Sequence, residues 1–142
     1  MGDRLTYVRP SWFERHIMAA IPPAARLMSR LTGDAVLQVR GRHSGQMRTT
    51  LARTITVGES RYLVAIRGET QWARNLRAVG QARLWEHGRT IQIRAIEAHG
   101  DEKRTVIEAF VASSKYAPTR RMMSETLPDP DQHPVFRIEA AA

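Results

Sequence analysis

The chain contains no cysteine, so neither disulfides nor thiolate metal sites contribute to it. It has no apolar run of about 18 residues, which excludes a membrane-spanning helix on length alone. Aromatic residues make up only 6%, and none interleave with basic residues as in an RNA-binding strand motif, so a dedicated nucleic-acid module is disfavoured. Neither G-x-x-x-x-G-K-[ST], G-x-G-x-x-G nor a G-x-S-x-G elbow occurs, and Ser44 sits in Arg42-His43-Ser44-Gly45-Gln46. The five histidines, at 16, 43, 87, 99 and 133, have no metal-ligand spacing, and no metal site is expected. Lysine is scarce too: twenty of the 22 basic residues are arginine, against 14 acidic ones, for a net charge of +8. Arginine grips phosphate and carboxylate through a planar fork, so the excess points to an acidic partner.

A length of 142 residues reads as one domain able to bury a core, spanning 1–142, with a helical extension over 1–33 and a barrel core over 35–139. Ser11 with Glu14 starts a helix pattern; Pro22-Pro23 ends it and begins another that runs through Leu27 and Leu31 to Gly33. From Ala35 the apolar rhythm has period two, predicting strands over 35–40, 48–57 and 61–66. A short helix follows over Gln71–Val79, closed by Gly80, then strands from Ala82 to Glu86 and from Thr90 to Ala98. Asp101 is placed to cap a further helix, a helical piece covers Thr119–Glu125, and Val135–Ile138 reads as a last strand. Hairpin connections without βαβα alternation predict an antiparallel sheet closed into a barrel.

Two segments concentrate chemistry. Arg42 to Arg48 crowds arginine, glycine and a small hydroxyl into one turn, within a stretch from Ala35 to Gly58 that holds no acidic residue. Backbone amides and guanidinium groups there form an anion nest, or else the segment is a basic hairpin turn without a ligand. The second segment, Arg67-Gly68-Glu69-Thr70-Gln71-Trp72-Ala73-Arg74-Asn75-Leu76-Arg77, passes from a strand end directly into a helix N-terminus, where free N–H groups favour an anion. Trp72 and Asn75 share a helical face; Trp72 and Leu76 also suit a core.

Taken in order, Gly41 to Thr50, Tyr62 to Ala65 and Trp72 to Ala78 resemble the deazaflavin-dependent nitroreductase family. That resemblance covers the chain from about Leu37 to the last strand. It implies a mainly β (α+β) split β-barrel of about six mostly antiparallel strands, with an inserted short helix and helices at both ends. It also implies the reduced deazaflavin coenzyme F420 as cofactor, with FMN as the alternative. By the same resemblance Arg42, His43, Ser44, Gly45, Gln46, Arg48 and Thr49 hold the phosphate and acidic tail. Ala65, Ile66, Arg67 and Gly68 line the ring through backbone, Trp72 and Asn75 complete the pocket, and Tyr116 stands on the substrate side. Leu51 replaces a common proline, and Ile66 stands where a hydroxyl is implied to assist substrate protonation. No catalytic side chain is assigned.

The expected activity is hydride transfer to a quinone, enone or nitro acceptor, by a cytoplasmic monomer or homodimer. Trp12, Phe13 and Met18 beside Arg15 are compatible with peripheral membrane contact. A non-catalytic carrier of a planar anionic ligand and a basic nucleic-acid or membrane-surface module are the alternatives.

Overall fold

The computed structural model describes residues 21–114, 117–126 and 129–141. Six strands, β1 (Ala35–Arg40), β2 (Met47–Val57), β3 (Ser60–Val64), β4 (Gln81–Glu86), β5 (Arg89–Glu97) and β6 (Val135–Ala140), form a closed barrel in the order β1-β2-β3-β6-β5-β4. Every ladder is antiparallel, and β4 closes on β1 from Val36↔Trp85 to Gln38↔Arg83. Closure pairs both edges of each strand, so no edge is left to aggregate. The β4–β5 connection is the two residues His87 and Gly88, both at positive φ (53° and 75°), which suits the twist of a tight hairpin.

Alternation decides what lies inside. Ala35, Leu37 and Val39 of β1 point inward with Ala52, Leu63, Leu84, Ile93 and Phe136. Helix α2 (Gln71–Val79) packs Ala73 and Leu76 into the same interior cluster, with Trp72 tilted against Phe136 at 6.1 Å between centroids. Thr70 Oγ1 accepts from the Ala73 amide (3.3 Å) to start this helix, and Gly80 (φ 77°) ends it by donating to Leu76 O (2.7 Å).

The outside is covered in two places. Helix α1 (Pro23–Thr32), begun by a proline and stopped by Gly33, lies over Ile21, Val36 and Trp85 and leaves Leu27, Met28 and Leu31 exposed. Helix α3 (Gly100–Ser113) lays Val106, Ile107 and Phe110 on Tyr62, Val64 and Val135. Below it Tyr62 OH donates to Glu102 Oε2 (2.9 Å), which also accepts from Arg137 Nη1 (2.8 Å). Burial and the Glu102 carboxylate push the Tyr62 phenol above its ordinary range. Helix α4 (Ala117–Arg121) continues into a π-helical turn, Met122–Thr126.

Two local expectations change. The third strand stops at Val64, not Ile66: Ala65 still donates to Pro134 O opposite it (2.9 Å), but proline has no N–H to return the bond, and Ala65 O accepts from Gly68 N instead (3.2 Å). Asp101 does not cap α3: His99 holds that position, and Asp101 lies in the first turn, where it accepts from Arg104 (3.1 Å). The Ser11 helix start, together with Trp12, Phe13 and Met18, lies outside the described residues. Among the described residues no helix is long and apolar enough to cross a membrane.

Because α2 seals the core through one fully buried leucine, Leu76→Ala is expected to cost about 2–5 kcal/mol in denaturant titration. The same change at exposed Leu31 should stay within about 0.5 kcal/mol.

Candidate active site

The turn between β1 and β2 is shaped from within. Gly45 (φ 73°) donates to Gly41 O (2.9 Å), Gly41 donates to Gln46 O (2.7 Å), and the Gln46 amide donates to Ser44 Oγ (3.2 Å). A Cβ at Gly41 would stand 2.8 Å from Ser44 Oγ and 3.3 Å from Gln46 O, so a larger residue there would displace the serine hydroxyl from the Gln46 amide. The fourth amide, on Arg42, donates to Asn75 Oδ1 (3.1 Å). Arg42 Nη1 donates to the same oxygen (2.7 Å) and to Gln71 Oε1 (3.1 Å). Gln71 and Asn75 are one helical turn apart, so one face of α2 receives the whole residue. Only the His43 and Ser44 amides of the turn have no partner among the described residues.

A cavity of about 1040 Å³ opens beside this latch. The turn (Gly41–Ser44), β2 from Arg48 to Arg53, Val64, Ile66, Arg67, the start of α2 (Thr70–Trp72) and Asn75 form its walls, with Pro118, Thr119 and Met122 opposite. The volume is at the upper end of ordinary ligand sites. The side chains of Arg48, Arg67 and His43 make no hydrogen bond or ion pair with another described residue. The α2 N-terminus adds its positive end, with the Gln71 and Trp72 amides left over by the cap. Asp34 is the one acidic residue on the wall. It is ion-paired with Arg53, and burial pushes its carboxyl up against the lowering effect of that guanidinium. Among the described residues no three His, Asp or Glu side chains gather as metal ligands.

Of the residues singled out in the sequence, Arg42, His43, Ser44, Arg48, Thr49, Ile66, Arg67, Trp72 and Asn75 meet on this cavity. Gly45, Gln46, Ala65 and Gly68 do not line it. Gly45 and Gln46 spend their backbone closing the turn. Ala65 is buried, its amide held by Pro134 and its carbonyl by the Gly68 amide (3.2 Å) and His133 Nδ1 (2.9 Å), so it has no backbone group for a ligand. Gly68 (φ 94°) turns the chain, and its carbonyl accepts from Thr70 N (2.8 Å). Asn75 is a positioning residue, since its oxygen is committed to Arg42. Tyr116 lies outside the described residues.

Sequence reasoning missed Gln71, whose spacing from Asn75 was the available signal. It also missed His133, fully buried 68 residues from its partner, for which no local pattern exists. Arg77 was noticed but not its role. Its guanidinium donates to Glu97 (2.8 and 2.8 Å) and to Glu69 (3.1 and 2.8 Å), tying α2 to β5 and to the loop that carries Ile66 and Arg67.

Those hydrogen bonds hold Glu69 and Glu97 below the usual carboxylate range. Their stabilisation is therefore present at neutral pH and lost as pH falls below about 4.3 through the lowered folded values. Thermal melting should show Arg77→Met losing less Tm than the parent chain over that acid range. Asn75→Ala strands the Arg42 amide and should cost about 1–3 kcal/mol by denaturant titration.

Comparison with known proteins agrees with this geometry. The model of the F420H2-dependent quinone reductase family matches residues 16–128. An F420-H2-dependent reductase, FDR-A, has a similar structure at 19% identity, with 76% of this chain and 95% of that chain covered and a TM-score of 0.54. The haem storage protein HutZ from Vibrio cholerae is similar at 13% identity, with 86% and 91% covered and a TM-score of 0.57. At these identities the likeness is one of fold, the split barrel. No curated protein matches the sequence. A family match across most of the chain, on a split barrel with a cation-lined cavity, identifies it as a member of the F420H2-dependent quinone reductase family, a reductase that works with the deazaflavin coenzyme F420.

Proposed function

We propose that the cavity beside the Arg42–Asn75 latch holds the coenzyme and that its far end receives a quinone, enone or nitro acceptor. The observation that carries this is the unspent donor set: the side chains of Arg48, Arg67 and His43 line one cavity with no partner among the described residues, beside a helix N-terminus. An acidic, phosphorylated coenzyme fits such a donor set, whereas a neutral ligand would leave the cations uncompensated.

Arg48, Arg67 and His43 bind the phosphate and carboxylates through charge-assisted hydrogen bonds, joined by the His43 and Ser44 amides. Arg42 serves this site indirectly: locked by Gln71 and Asn75, it sets the shape of the turn. Leu51, Val64, Ile66 and Trp72 give apolar walls for a flat ring. Ile66 and Arg67 keep backbone groups available to its edge, where Ala65 and Gly68 do not. When bound, the reduced coenzyme supplies the hydride. The chain's own work is to hold two flat molecules in contact and to keep water from the transfer. Pro118, Thr119 and Met122 occupy the wall assigned to the acceptor side.

The protein should quench or shift the fluorescence of oxidised F420 with a Kd in the micromolar range or below, more tightly than it binds FMN. Arg48→Met should weaken that binding about tenfold or more and flatten its salt dependence. Tight binding without oxidation of the reduced coenzyme across a quinone, enone and nitroarene panel would make the chain a carrier. Absence of coenzyme binding at low salt would end the reading.

A further inference from the structure

Arg53 is a cation of a different kind from those at the turn. It lies five residues along β2 from Arg48, roughly 17 Å at the usual rise of a strand. Its register partner is Val64, on the outer face of the barrel, the face on which α4 and the π-helical turn close the cavity. It also borders a second hollow of about 630 Å³, walled by Leu31, Ile55 and Phe110, and so stands between the two. Asp34 holds the guanidinium at Nε, and both side chains are largely shielded, at 29% and 14% exposure. Asp34 is in turn anchored at the end of α1: its amide donates to Thr32 Oγ1 (3.2 Å), and its carbonyl accepts from Ser29 Oγ. Nη1 and Nη2 of Arg53 have no partner among the described residues.

This arrangement places a guanidinium on the cavity wall while compensating its charge. An arginine neutralised at Nε keeps its terminal N–H groups for charge that appears only during reaction, the condition for stabilising a transition state over a ground state.

We propose that Arg53 is a catalytic residue whose terminal N–H groups receive the acceptor oxygen. The inference rests on the reductase reading above. As hydride arrives, a C–H bond forms at the carbon conjugated to the carbonyl, the C=C pair shifts, and the negative charge settles on the oxygen facing Arg53. That oxygen then takes a proton from water, and hydroxide leaves to solvent. The acceptor has gained two electrons and two hydrogens in total. No side-chain hydroxyl at position 66 is needed, which accounts for Ile66 on the cavity wall.

The test begins with coenzyme-free protein and calorimetric titration of two probes, 1,4-naphthoquinone and its 2-hydroxy derivative, whose ring oxygen is ionised at neutral pH. The parent chain should prefer the ionised ring, and Arg53→Met should lose that preference by about tenfold or more. Arg53→Lys should retain part of it. With the coenzyme present, Arg53→Met should lower kcat on 1,4-naphthoquinone by about 100-fold, leaving the Kd for oxidised F420 unchanged. Thermal melting establishes that each variant is folded; if the methionine variant is not, Arg53→Gln takes its place. A folded variant that keeps both the preference and kcat overturns the proposal. Failure of the reductase reading would show earlier and separately, as no F420 binding by the parent chain.

Discussion

The carboxamide oxygen of Asn75 holds this site together. It accepts from both the amide and the guanidinium of Arg42, 33 residues away in the chain. A turn rich in glycine and arginine would otherwise be a mobile loop of like charges, costly to order and self-repelling. Asn75 can do this because α2 is immobile: Ala73 and Leu76 bury its other side in the barrel core, Thr70 caps its start and Arg77 clamps it to β5 and the preceding loop. The shape of the turn beside the cavity thus derives from hydrophobic burial, transmitted through one buried amide.

The arginine excess sorts into two populations. Arg61, Arg77 and Arg137 are spent on Glu86, on Glu69 with Glu97, and on Glu102, where they fasten helices and strands to one another. Arg48 and Arg67 are left over, and they meet on one cavity wall. Arg48 lies within the stretch from Ala35 to Gly58, which contains no acidic residue, and the nearby Glu69 is held by Arg77 rather than by Arg67. Asp34 borders that stretch and pairs with Arg53, so the Arg53 side of the cavity differs electrically from the Arg48 side.

Most elements were legible because their signals are local. Alternation over Ala35–Arg40, the Pro23 start and Gly33 stop of α1, and the Thr70 and Gly80 brackets of α2 all act within a few residues. The errors have two causes, one distant and one local. The third strand ends early and Ala65 turns away from the cavity because His133 and Pro134 arrive from the far end of the chain. Gln46 and Gly45 are adjacent to the site in sequence yet face away from it, because the turn uses their amides to close on itself.

The order of strands and helices, the basic turn and the helix that answers it were determined by the sequence by itself, since periodicity, caps and composition operate over one or two turns of chain. Which arginines are left without a partner among the described residues, facing the cavity, was decided only by the tertiary structure. Barrel closure brings Glu69 and Glu97 to Arg77, Asn75 to Arg42 and Asp34 to Arg53. No spacing rule specifies such pairings; they depend on register around a closed sheet, where a shift of one residue would turn each partner to the opposite face.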